Sequence, residues 1–253
     1  HRRLPVAGRA GARAALPPVA VVNLAKRADR WEEMRERLAK LGEELDIERV
    51  DAVNGSTEEI LPEVVAHSWS TANNWRYVTK VFEGGEDCGY TQKELALTAG
   101  ERGCAASHVN IWRRCAERTG PLMILEDDAK PTASFAAKIR RALADLEGED
   151  PEVLYLGYTQ AAPWRRKVSA AVSEAEYLWT TVGYVLWPSG ARTLLAHLPV
   201  DQPVDNYMAS LMARSLLRGF AVTPLVVNQA KPWNVDSDVS HSDDVAWIQN
   251  CKG

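Results

Sequence analysis

A short β-branched run, PVAVVNL (Pro18–Leu24), is followed at once by ADRWEEMRERLAKLG, and this pair constrains the fold more than any other feature. The valines make the first segment a strand. In the second, Trp31, Met34, Leu38 and Leu41 recur at helical spacing, and Gly42 stands where a helix C-cap belongs. IERVDAVNG then supplies another short strand that ends in a turn. Strand, helix and strand of these lengths form a βαβ unit, whose crossover makes the two strands parallel.

The alternation continues along the chain. TAGERGCAASHVNIWRRCAERTG predicts a helix from about Gly100 to Arg118, capped by Thr98 or Gly100, and PLMIL the strand after it. PTASFAAKIRRALADLEG carries Phe135, Ile139 and Leu143 on one helical side. EVLYLGY and VGYVLW read as strands, PSGARTLLAHL as a helix with Pro188 in its first turn, VDNYMASLMARSLL as a helix and FAVTPLVVNQ as a strand. The expected architecture is α/β, a single Rossmann-like domain over residues 19–253 with a mostly parallel central sheet.

Composition excludes several alternatives. With 46% hydrophobic and 25% charged residues the chain is globular, and its net charge of -4 argues against nucleic acid as a partner. The four cysteines, Cys88, Cys104, Cys115 and Cys251, form no CxxC pair and are too few for a disulfide scaffold. No apolar run is long enough to span a bilayer. Residues 1–18 are rich in Arg, Ala, Gly and Pro, and the first acid is Asp29, so a flexible arm or stem remnant is expected there. The chain opens on His1 and not Met, so an upstream segment is expected, and with it a peripheral membrane attachment. Residues 61–93 are irregular and aromatic, with Trp69, Trp75 and Tyr77, and read as a loop insert that shapes an acceptor site. Nine tryptophans are spread over the chain; most belong to the core, and the remainder suit the apolar faces of sugars.

The chemistry concentrates in LMILEDDAK, where four apolar residues stop at Glu126, Asp127 and Asp128. Adjacent carboxylates repel, and burial of an unpaired charge is costly, so these acids face solvent or a cation. In an open α/β sheet the carboxyl ends of strands are where ligands bind. Side chains alternate along a strand, so Glu126 and Asp128 point the same way, as a hard Mn²⁺ or Mg²⁺ ion would require. The competing readings are a solvated loop, or Asp128 as the cap of the following helix. On the helix before this strand, Cys104, His108, Ile111, Trp112 and Cys115 share a face. Helical spacing also permits a Cys104–His108–Cys115 zinc site, although it has too few ligands. Asp205, in PVDNYM, begins a helix, where a carboxylate is an N-cap or a general base.

Seven segments in order, VVNLAKRADRW, AVNG, GERGCAASHVNIW, MILEDDA, VGYVLWPSGARTLL, PVDNYM and NQ with SDVS, resemble glycosyltransferase family 25, which includes lipooligosaccharide and collagen-type galactosyltransferases. The resemblance spans Val19 to about Asp243. It implies a GT-A-like nucleotide-sugar fold, a UDP-sugar donor with galactose as its sugar, a glycan or glycoprotein acceptor, Mn²⁺ dependence and inversion at the anomeric carbon. It implies that Glu126-Asp127-Asp128 is the family's DxD equivalent, with Asp128 as main metal ligand and Glu126 or Asp127 second. Asn23, Arg27 and Arg30 then lie beside the nucleotide, Glu101, Ser107 and His108 fill the GExGCxxSH motif, and Gln229, Asp238 and Ser240 close over the donor. Asp205 becomes the expected base, with His108 and Glu101 as rivals. Two departures, Ala25 at a position commonly polar in the family and the long 61–93 insert, bear on the acceptor. A catalytically inactive sugar-binding relative and a metal-dependent nucleotidyltransferase are the alternatives; the second lacks a Gly-rich nucleotide loop. The expected compartment is the secretory lumen for a eukaryotic source and the cytoplasmic membrane face for a bacterial one.

Overall fold

The computed structural model describes residues 15–73, 94–230 and 239. The opening βαβ unit forms as expected: β1 (Val19–Asn23), α1 (Ala28–Ala39) and β2 (Ile47–Asp51), with β1 and β2 parallel. Helix α1 ends three residues before Gly42, whose φ of 64° turns the chain while its N–H donates to Ala39 O. The following elements are β3 (Ser68–Ser70), β4 (Glu94–Ala96), α2 (Ala99–Ala116), β5 (Leu122–Glu126), β6 (Ala129–Pro131) and α3 (Phe135–Asp145). The chain continues through β7 (Val153–Gln160), β8 (Arg166–Lys167), β9 (Val172–Glu174), β10 (Leu178–Leu186), α4 (Pro188–Ala196), α5 (Val204–Ala213), β11 (Gly219–Val222) and β12 (Val227–Gln229).

Eight strands form the central sheet in the order β2-β1-β5-β10-β7-β11-β9-β8. Only β10 and β9 run against the others, so the sheet is mostly parallel in direction. Strand alternation sends side chains to two separate cores. Ala20, Val22, Leu122 and Ile124 pack with α2, α4 and α5. Val19, Val21, Met123 and Leu125 pack with Met34 and Leu38 of α1 and Phe135 and Ile139 of α3. Burial on both faces is why these strands read as continuous apolar runs.

Three details differ from expectation. FAVTPLVVNQ is not one strand: it divides into β11, on the central sheet, and β12, which pairs with β6. Pro224 lies between them and has no N–H for a ladder. The β8–β9 hairpin was not expected, because strands of two and three residues carry no readable period. Within the irregular stretch, β3 and β4 pair antiparallel with Trp69 opposite Leu95. Residues 74–93 of the insert, with Trp75 and Tyr77, lie outside the described residues, as do residues 1–14 of the arm. Among the described residues no helix is long and apolar enough to cross a membrane.

Candidate active site

The three acids follow the parity of β5. Glu126 continues the even-numbered series toward α2, and Asp127 the odd series toward α1. Asp127 is saturated there. Its Oδ2 accepts from Asn23 Nδ2 at 2.8 Å and its Oδ1 from Arg30 Nη1 at 3.0 Å. Asn23, buried at the end of β1, also donates to Arg27 O and accepts from Arg49 Nε at 2.9 Å. Arg37 of α1 reaches the carbonyls of Asp127 and Ala129, so the turn is fastened to α1 by both backbone and side chain. Burial raises the Asp127 carboxyl above its ordinary range, with Asn23 and Arg30 pulling against that rise.

The other face is less well compensated. Glu126 Oε1 accepts from Thr181 Oγ1 at 2.6 Å and lies 3.4 Å from His108 Nε2. That second approach is close enough for an ion pair, yet Nε2 makes no aligned hydrogen bond. His108 is 1% exposed; its Nδ1 meets Tyr184 Oη at 2.8 Å, and Tyr184 Oη also accepts from Trp112 Nε1 at 3.0 Å. Burial pushes the Glu126 carboxyl up, but His108, Thr181 and Arg30 together outweigh it and hold the group below its usual value. Among the described residues the Asp128 side chain has only Gln229 Nε2 at 3.5 Å on Oδ2, while its Oδ1 is buried and without a partner. Burial, and after it the charges of Glu126 and Asp127, push Asp128 up to about 7. Such a carboxylate is suited to receiving a cation. Asp128 is not a helix cap: β6 intervenes, and α3 starts at Phe135.

Thr181 reaches Glu126 because β10 is irregular. Its register against β7 shifts between Trp179 and Gly183, and Thr180 inside that bulge has a φ of 78°. Bulges re-aim side chains beside functional sites. Asp205 holds the bulge: its Oδ2 accepts from Thr180 N at 3.2 Å and its Oδ1 from Asn206 N at 2.8 Å. Asp205 lies in the first turn of α5, after Pro203 at the N-cap, so it is not the cap itself. Asn206 also takes the Tyr177 hydroxyl at 2.9 Å and Trp179 Nε1 at 3.2 Å.

The remaining expected residues are spread around this centre. Glu101 closes a capping box with Thr98: Thr98 N donates to Glu101 Oε2 at 2.8 Å and Glu101 N to Thr98 Oγ1 at 3.2 Å. Ser107 Oγ accepts from Val53 N at 2.8 Å and donates to Gly103 O at 2.7 Å. A Cβ on Gly103 would stand 2.7 Å from both Gly55 N and Val53 O. GERGCAASH and AVNG are thus two halves of one backbone-to-backbone seat for α2, and Ser107 belongs to that seat. Arg27 pairs with Asp29 at 3.0 Å. Asp238 and Ser240 lie outside the described residues. The Cys104–His108–Cys115 grouping does not form, because Cys115 Sγ turns to Leu186 O at 3.3 Å. Cys104, His108 and Glu126 gather instead, with donor atoms within 4.8 Å of one another. Thr180, Thr181 and Tyr184 were not anticipated. The strand VGYVLW carries no mark of a bulge upstream of it.

A sheet in this order, covered on both faces and ending in acids beside the first βα junction, places the protein in the GT-A-like class. Residues 16–208, most of the chain, match glycosyltransferase family 25 (LPS biosynthesis protein), and the chain belongs to that family. It is 30% identical over 235 residues to procollagen galactosyltransferase 1-B of Xenopus laevis, covering 83% of this chain and 35% of that protein. It is 29% identical over 153 residues to procollagen galactosyltransferase 1 of Danio rerio, covering 52% and 25%. It is also 31% identical over 230 residues to the inactive glycosyltransferase 25 family member 3 of Homo sapiens, covering 82% and 36%. The chain spans about a third or less of the length of these relatives.

Proposed function

We propose that the chain transfers galactose from UDP-galactose to a hydroxyl of a glycan or glycoprotein, with inversion and with a divalent cation, Mn²⁺ or Mg²⁺. The observation that carries this reading is the unpartnered, buried Oδ1 of Asp128 beside Glu126. These two carboxylates fit a hard cation, whose charge would offset that of the donor diphosphate. Asp127 is engaged with Asn23 and Arg30 and sets the turn. Arg30, Arg27 and Asn23 at the end of β1 are the polar groups nearest where a nucleotide meets a first βα junction. Residues 61–93 are assigned to the acceptor side.

In the transfer the acceptor oxygen bonds to the anomeric carbon as the bond to UDP breaks, and the acceptor proton passes to a base. Asp205 is the base in this reading. Glu101 is 4% exposed in its capping box, and His108 is 1% exposed with Nδ1 on Tyr184, so neither is set to meet a substrate. Asp205 is partly exposed and shares the neighbourhood of Cys104 with Glu126 and Asp128, whose charges all act on that thiol.

A second reading has a specific basis: a relative at 31% identity is named inactive. The chain would then bind the sugar nucleotide without turning it over. The test is UDP release from UDP-galactose, UDP-glucose and UDP-N-acetylglucosamine, with and without Mn²⁺. Release from UDP-galactose that requires Mn²⁺ supports the first reading. UDP binding without release under any condition supports the second.

A further inference from the structure

Cys104 and His108 are four residues apart on α2, so their side chains stack on one helix face. Glu126 enters from β5 by strand parity, and the three donor atoms come within 4.8 Å of each other. Ordinary packing explains His108 poorly. His108 is almost fully buried, yet its Nε2 has no hydrogen-bond partner, and it is aimed at a carboxylate oxygen 3.4 Å away that it does not properly bond. Tyr184 Oη on the opposite ring nitrogen is the kind of partner that fixes a metal-binding histidine, since Nδ1–H can donate to it and leave the Nε2 lone pair facing the cluster.

We propose that Cys104 Sγ, His108 Nε2 and the Glu126 carboxylate form a three-ligand site for a borderline-soft divalent ion, zinc by its donor set, which adjoins the hard-ion position at Asp128 and shares Glu126 with it. Sulfur and imidazole select zinc over Mn²⁺ or Mg²⁺, and three protein ligands leave a fourth position open. Zinc bonds of about 2.0–2.3 Å would draw the cluster inward by up to roughly 1 Å. Burial, and after it the charges of Glu126, Asp205, Asp128 and Glu101, push the Cys104 thiol up, so a bound cation must displace its proton. The site does not depend on the glycosyl-transfer reading, and its test needs no substrate.

Calorimetry with zinc chloride alone, on the full 253-residue chain under reducing conditions, should give one tight equivalent. Cobalt chloride should give a thiolate-to-cobalt charge-transfer band. Cys104→Ser should weaken zinc about 100-fold, since second-shell changes alone cost about 10–100-fold, and should abolish the band. Cys104→Ala should do the same with an unchanged melting curve. Cys115→Ser, altering the other thiol of this helix, should change neither signal. Zinc affinity or a cobalt band that survives both Cys104 substitutions overturns the proposal, as does equal loss in Cys115→Ser.

Discussion

Asp127 and Asp128 are neighbours in sequence and opposites in environment. Asp127 faces α1, where both its oxygens accept from buried or half-buried donors. Asp128 turns toward the Glu126 side, where one oxygen has no partner and two other carboxylates press on it. The α1 side of the turn is satisfied within the fold, and the α2–β10 side is left under charge stress. A buried carboxylate with a strongly shifted ionisation marks a candidate functional site.

The contrast breaks most visibly if Asp127 proves dispensable. Asp127→Ala removes the acceptor of Asn23 Nδ2 and Arg30 Nη1 together, and should cost roughly 3–5 kcal/mol. Thermal unfolding checks this: a melting point within a degree or two of the parent would mean that the α1 side is no better held than the other.

Asp128→Asn should act in the opposite direction. The Asp128 carboxyl is raised to about 7 in the fold, well above the ordinary aspartate range. A raised folded value favours the protonated fold, so its stabilising contribution is complete below about pH 4 and is lost as pH rises through 7. Without metal at pH 8, Asp128→Asn should therefore stabilise by roughly 2 kcal/mol, a discounted fraction of what such a shift implies. The gain should vanish near pH 4, and Mn²⁺ should stabilise the parent but not the variant. A variant no more stable than its parent at pH 8 would mean that Asp128 is not under charge stress.

Much of this was legible in the chain. PVAVVNL and ADRWEEMRERLAKLG dictated the first βα unit because their periods are long and unbroken. The split of the acids between two faces followed from the alternation of LMILE. What could not be read was how β10 bends, since a bulge at Thr180 depends on Asp205 from a helix 25 residues later. Ser107 and Gly103 were legible as a motif but not as a seat, because a motif does not say whether its residues touch a ligand or another loop. Helical spacing permits a Cys104–His108–Cys115 grouping, whereas the third member of the observed cluster, Glu126, comes from a different element.

Asp205 is the carboxylate that tests the contrast, because it lies on the open side and yet accepts two backbone N–H groups. As a base it should act directly on substrate; as a positioning residue it should act only through Thr180 and Thr181. Asp205→Asn cannot separate these, since an amide has one acceptor oxygen for two N–H donors and should disturb the bulge at a cost of about 1 kcal/mol. Thr180→Gly separates them. Glycine adopts a φ of 78° without strain, so this change should stabilise the bulge by up to about 1 kcal/mol and make it independent of Asp205. If Asp205 is the base, Asp205→Asn should lower turnover on the order of 10²-fold or more, and Thr180→Gly should restore none of it. If Asp205 only holds the bulge, the double variant should recover turnover to within a few fold of Thr180→Gly alone. Single-turnover rates of the four proteins with UDP-galactose and Mn²⁺ decide between them, and recovery in the double variant would remove Asp205 from the chemistry.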